Sequence, residues 1–253
     1  MQLLRKRPAK ADSAANNTDS LQEQLEDKMF DLFGQVVENR SEYYDSHQDE
    51  LPTVQSLPTL TKYCGNQNAA ISGGASLVPG PLGMVAVVPE ITWIIKNQVE
   101  MVYDIGVAYG HKKQLSPELL ASVVGYALGA GTLGLIALHG QKVLVKRASL
   151  RLMQKLVKLM AGKVSQRLLK SMVGKWVPVA GAVALAAWSK YSTNAVAKKA
   201  ISIFEKEFEF SDDEVGIEAY TTNQDSLEVE TDSSSDTGSR IEKTKIESLI
   251  SLM

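Results

Sequence analysis

From Leu21 to Val37 the apolar residues Leu21, Leu25, Met29, Leu32, Phe33, Val36 and Val37 recur every three or four positions, which puts one stripe on a helix. Asp19 or Ser20 is placed to cap it, so 19–40 reads as an amphipathic helix that must pack on a partner surface. Ser41 to Pro58 is polar, with two prolines and four carboxylates, and predicts a linker over 41–60. Ser76 to Pro89 is apolar but broken by three prolines; it suits a re-entrant loop or a buried helix start. Glu90 to Tyr109 then predicts a helix carrying Ile91, Ile94, Ile95, Gln98, Met101, Val102, Ile105 and Ala108, with Gly110 as its C-terminal stop.

Leu119 to Leu138 is uncharged and mostly apolar, introduced by Pro117 and Glu118 as first-turn residues. About 20 such residues can span a bilayer or fill the centre of a helical bundle, and the pattern leaves both open. Ala121, Gly125 and Gly129, at four-residue spacing, are the candidate helix-packing positions, because small side chains let helix backbones approach closely.

Gln141 to Trp176 holds ten Lys or Arg and no acid. On an ideal helix Arg147, Arg151, Lys155 and Lys158 share one side while Leu152, Leu156 and Leu159 share another. After Ala161-Gly162, Lys163, Arg167 and Lys170 repeat the arrangement beside Val164, Leu168, Leu169, Met172 and Val173, which predicts a hairpin of two basic amphipathic helices. Val177 to Trp188 is again apolar and leads into a helix through Asn194, Ala197, Ile201 and Phe204. It faintly echoes the earlier run, since Pro81 to Asn97 and Pro178 to Asn194 have the same spacing.

These elements predict an all-α fold: a compact helical bundle with glycine-rich apolar helices and a basic amphipathic helical hairpin, occupying 61–210. The polar stretches 1–18 and 211–240 predict disorder, the latter as an acidic C-terminal tail, and 241–253 a short amphipathic segment.

Charge changes the picture more than average composition does. Residues 51–204 contain seventeen Lys and Arg against four Asp and Glu, whereas 1–50 and 205–253 are both acidic. A basic centre between acidic flanks points to an anionic partner or to flanks that shield it. The ten cations Lys142, Lys146, Arg147, Arg151, Lys155, Lys158, Lys163, Arg167, Lys170 and Lys175 are the candidate anionic-surface residues. Single-strand nucleic-acid readers interleave aromatics, and none occurs in this stretch before Trp176, so lipid is preferred to nucleic acid. Met1 to Pro8 is charged but lacks the apolar run, about 7–15 residues long, of a secretory signal, so the membrane is expected to be reached from its cytoplasmic face.

Catalytic signatures are missing. Gly129-Ala-Gly131-Thr-Leu-Gly134 matches the dinucleotide fingerprint, but no acid follows it before Glu205, so the ribose partner is lacking. His47, His111 and His139 are scattered and Cys64 is the only cysteine, so no zinc site or disulfide is expected. Glu100 and Asp104 could share a helix face as an acid–base pair, or simply solvate it.

Val78-Pro-Gly-Pro-Leu-Gly83, Gln98 with Met101, the Ala108-Tyr-Gly110 ending, and Val177-Pro-Val-Ala-Gly181 leading to Asn194 and Phe204 resemble the EcsC family and the related domain of unknown function attached to some bacterial GTPases. The likeness spans roughly Ala69 to Glu207, and Glu90 stands where the family often has Asp. Its motif residues here are Pro79, Gly80, Pro81, Gly83, Glu90, Gln98, Gly110, Pro178, Gly181 and Asn194. The resemblance implies a helical, membrane-associated bacterial accessory protein, with a transporter or GTPase as partner and no defined reaction. The expected function is therefore a non-enzymatic scaffold on an anionic membrane, without cofactor and open to self-association. A pore-forming effector, a soluble adaptor and an enzyme with an unrecognised pocket stand as alternatives.

Overall fold

The first helix, α1 (Ala9–Ser46), is longer at both ends than its apolar stripe suggests, and that stripe, Leu25, Met29, Leu32, Phe33 and Val36, is buried. The computed structural model describes the backbone of residues 9–75, 81–172 and 178–215, and the side chains of 21–72, 88–166 and most of 186–215. Met1–Glu214 groups as one unit, and the description concerns that unit. Residues 9–18, expected to be disordered, are helical as the first turns of α1, whereas residues 1–8 and the segments expected to be disordered or amphipathic beyond Val215 lie outside the described residues.

The expected linker is structured instead. Ser41 to Ser46 completes α1, short 3-10 turns cover Gln48–Glu50 and Val54–Ser56, and α2 (Leu57–Ala75) begins inside the segment read as polar connection. The reason is Tyr44, which is buried and stacks on Tyr103, so one aromatic among the charges anchors the whole stretch.

α3 (Pro81–Ala108) starts on proline, carries Pro89 internally and stops where the sequence predicts. Gly110 adopts φ 82° there, with its N–H on the Val107 carbonyl and the His111 N–H on the Gly106 carbonyl, which together satisfy the last turn. α4 (Pro117–Leu128) is capped by Ser116, whose Oγ accepts from the Leu119 N–H. It ends after twelve residues, not twenty. Gly129 takes φ 74°, Gly131 and Gly134 are also left-handed, and the fingerprint-like string is the turn from α4 into β1 (Ile136–His139). A Rossmann loop runs from strand to helix; this one runs from helix to strand.

The basic hairpin is also corrected. Lys142 to Arg147 form β2, joined to β1 by a tight turn at Gly140-Gln141 and paired antiparallel, His139 opposite Lys142 and Ile136 opposite Val145. Alternation decided it: Val143 and Val145 are buried while Lys142 is exposed and Leu144 and Lys146 are half-buried, a period of two that overrides the helical reading. α5 (Leu150–Met172) then runs unbroken through Ala161-Gly162, so one basic helix stands where two were expected. α6 (Pro178–Phe204) follows, and β3 (Glu207–Glu214) pairs parallel to β2, extending order into the first residues of the expected tail. The all-α reading holds for the bulk: among the described residues six α-helices build the core and the order β1-β2-β3 makes one small sheet.

Helix directions follow from the contacts. α5 leaves β2, and α6 returns to β3, after two residues each, so both run between the sheet and a distal end. α3 lies parallel to α6: Gln98 bonds Thr193, and Gly106 sits against Phe204. α2 runs antiparallel to α6, with Asn68 on Thr193 and Leu57 sharing a cleft with Ile201.

Candidate functional site

The ten candidate cations separate into different environments once the chain folds. Lys142 is on β2 and forms an ion pair with Glu209 of β3, which raises its pKa through that hydrogen bond and the carboxylate's charge. Lys146 is half-buried on the same strand, and Arg147 is exposed at its end. Arg151, Lys158 and Lys163 lie exposed along α5, and among the described residues none of them has a carboxylate within ion-pair distance. Lys155 is half-buried on α5; Arg167 and Lys170 continue that helix, while Lys175 lies outside the described residues.

The apolar side of α5 is turned inward. Leu152, Leu156, Val157, Met160, Ala161 and Val164 are buried, and the helix packs on α1 and α4. The face that an interfacial helix would sink among acyl chains therefore belongs to the core, leaving the cations as the exposed part. Among the described residues of α5, Leu150, exposed at the first turn, is the apolar exception.

The predicted spanning candidate is equally enclosed. Leu119, Leu120, Ala121, Val123, Val124 and Gly125 are buried in α4, and among the described residues no helix is long and apolar enough to cross a membrane. A Cβ on Gly125 would stand 3.0 Å from both the Gly131 carbonyl oxygen and Leu156 Cδ1, so glycine permits α5 and the following turn to close on α4. Gly129 is the helix stop rather than a packing position.

Among the resemblance residues, Pro79 and Gly80 lie outside the described residues, Pro81 and Pro178 begin α3 and α6, and Gly83 and Gly181 fall within those helices. Glu90 is half-buried on α3. Gln98 belongs to a polar network that the sequence reading missed. Thr193 Oγ1 accepts from Asn68 at 3.0 Å and Gln98 at 3.2 Å and donates to the Ser189 carbonyl, while Asn97 Nδ2 donates to Asn68 Oδ1. These residues are buried where α2, α3 and α6 meet, and their bonds offset the cost of removing amides and a hydroxyl from water. Polar residues recurring inside apolar helices were the available signal. Cys64 sits beside them, its thiol donating to the Asn97 carbonyl, and burial pushes its pKa up to about 12, which removes it as a nucleophile at neutral pH.

The acid–base pair does not assemble. Glu100 pairs with Lys96 one turn away, whereas Asp104 is buried and bound by the Arg40 guanidinium and the Tyr44 hydroxyl. Burial raises the Asp104 pKa to about 6 against the opposing pull of Arg40 and Tyr44. Arg40 Nε is buried without a partner among the described residues, so within them this ion pair is incompletely satisfied. His47 stacks on exposed Tyr43, His111 bonds the Phe204 carbonyl beside Phe208, and His139 ends β1 in solvent. Among the described residues no group of His, Cys, Asp or Glu is placed to hold a metal ion.

Comparison with family models, with curated proteins and with solved structures yields no match for this chain.

Proposed function

We propose that this protein is a non-enzymatic accessory or scaffold protein that docks on the cytoplasmic face of an anionic membrane through the outer face of α5. The observation that carries this reading is the exposure of Arg151, Lys158 and Lys163 without ion-pair partners among the described residues, on a helix inside an 86-residue stretch, 119–204, that contains no acid. Each cation near an anionic leaflet contributes about 1 kcal/mol, so these three suffice for weak, salt-sensitive docking. The inward turn of α5's apolar side favours peripheral docking over insertion. The EcsC-like residues Pro81, Gly83, Gln98, Gly110, Pro178 and Asn194 agree with a bacterial accessory role beside a transporter or GTPase.

Sedimentation with vesicles tests it. The wild-type chain should pellet with vesicles of mixed neutral and anionic lipid at low salt, and Arg151→Glu/Lys158→Glu/Lys163→Glu should stay in the supernatant. Equal pelleting with purely neutral vesicles would remove the electrostatic reading. Release of an entrapped dye would favour the pore-forming alternative instead.

A further inference from the structure

A cleft of about 390 Å³ lies between the first half of α2, the 3-10 turn before it, and the outer side of α6. Its size falls within the range of roughly 300–1,000 Å³ in which small-molecule sites occur. Leu57, Pro58 and Ile201 make its lining apolar towards the sheet end, and the Tyr109 side chain extends that wall. Lys62, Lys190 and Asn194 line the stretch nearer the distal end, and among the described residues no acid lines any part of it.

These three polar side chains are uncommitted: among the described residues, none of Lys62, Lys190 and Asn194 has an ion pair or side-chain hydrogen bond. The contrast with Thr193, the residue before Asn194, is sharp, because its hydroxyl is fully engaged in the buried network. Gly65 makes room for two of them against α2. A Cβ there would stand 3.3 Å from Asn194 Oδ1 and 3.6 Å from Lys190 Cγ, so its absence lets both side chains lie along α2. Two exposed lysines and the half-buried amide of Asn194, lining one end of an apolar cleft, match an oxyanion attached to hydrocarbon.

We propose that this cleft binds a single-chain anionic amphiphile, its carboxylate or phosphate held by Lys62, Lys190 and Asn194 and its chain lying towards Leu57 and Ile201. The site uses none of the α5 cations, so it stands or falls separately from membrane docking.

Calorimetric titration of the full chain with decanoate and with decyl phosphate, both below their micelle concentrations, tests it and tells a fatty-acid head from a phosphate head. The expected result is one saturable site for at least one anion, with decanol binding at least tenfold more weakly and decyltrimethylammonium showing no saturable binding. Lys62→Glu/Lys190→Glu should weaken the anion at least tenfold while the circular dichroism and melting temperature stay unchanged; Lys62→Gln/Lys190→Gln, which adds no repulsion, should weaken it by a smaller factor. Failure of both anions to bind, decanol binding as tightly as they do, or undiminished binding by both variants would overturn the proposal. Vesicle sedimentation of Lys62→Glu/Lys190→Glu should match the wild type, which separates loss of this site from loss of membrane docking.

Discussion

Asp104 sets how one residue couples to solution pH. Its folded pKa of about 6 lies above the ordinary 3.8 because burial outweighs the attraction of Arg40, so the folded chain holds this proton more tightly than the unfolded one. The associated stability is fully present below pH 3.8 and is lost as pH rises through about 6, a change on the order of 3 kcal/mol. Chemical denaturation from pH 4 to 8 should show this slope in the wild type and a flatter profile in Asp104→Asn. Arg40→Gln removes the main opposing charge and should cost about 3 kcal/mol at pH 8, with part recovered at pH 5; a loss independent of pH would contradict the pairing. At Thr193, replacement by Val leaves Asn68 and Gln98 without their shared acceptor and should cost about 2–4 kcal/mol by urea unfolding. Neither cluster could be assembled from the sequence, since Arg40 and Asp104 are 64 positions apart and Asn68 and Thr193 are 125 apart.

At the scale of elements, periodicity located most helices, and the errors came where two periods competed. Lys142 to Arg147 satisfies both a helical wheel and a strand alternation, and the tight turn at Gly140 with pairing to β1 and β3 selects the strand. The α4 boundary was visible as glycines but their conformations were not. Gly129→Ala should cost about 1 kcal/mol in thermal or urea unfolding, because a Cβ disfavours the left-handed region, and Gly129→Asn should cost less. Gly125→Leu forces side-chain volume into the α4–α5 contact and should cost at least about 1–3 kcal/mol; a neutral result would show that the helices can separate there.

Over the whole molecule, docking through exposed cations predicts a steep response to salt. Raising ionic strength from about 0.05 to 0.5 M shortens the Debye length severalfold and should release the protein from anionic vesicles, whereas docking by buried apolar surface would persist. The sequence by itself determined the predominantly helical class, the Gly110 stop, the acid-free basic centre and the absence of catalytic signatures, because composition, periodicity and local capping need no distant partner. Only the tertiary structure decided which apolar faces are enclosed. Leu119 to Leu128 and the Leu stripe of α5 read equally well as lipid-facing or core-facing, since burying apolar area from water is favourable in either setting and carries no direction. Packing of α4 on α5 and of α5 on α1 settled it within this chain, and left Arg151, Lys158 and Lys163 on the outside of α5.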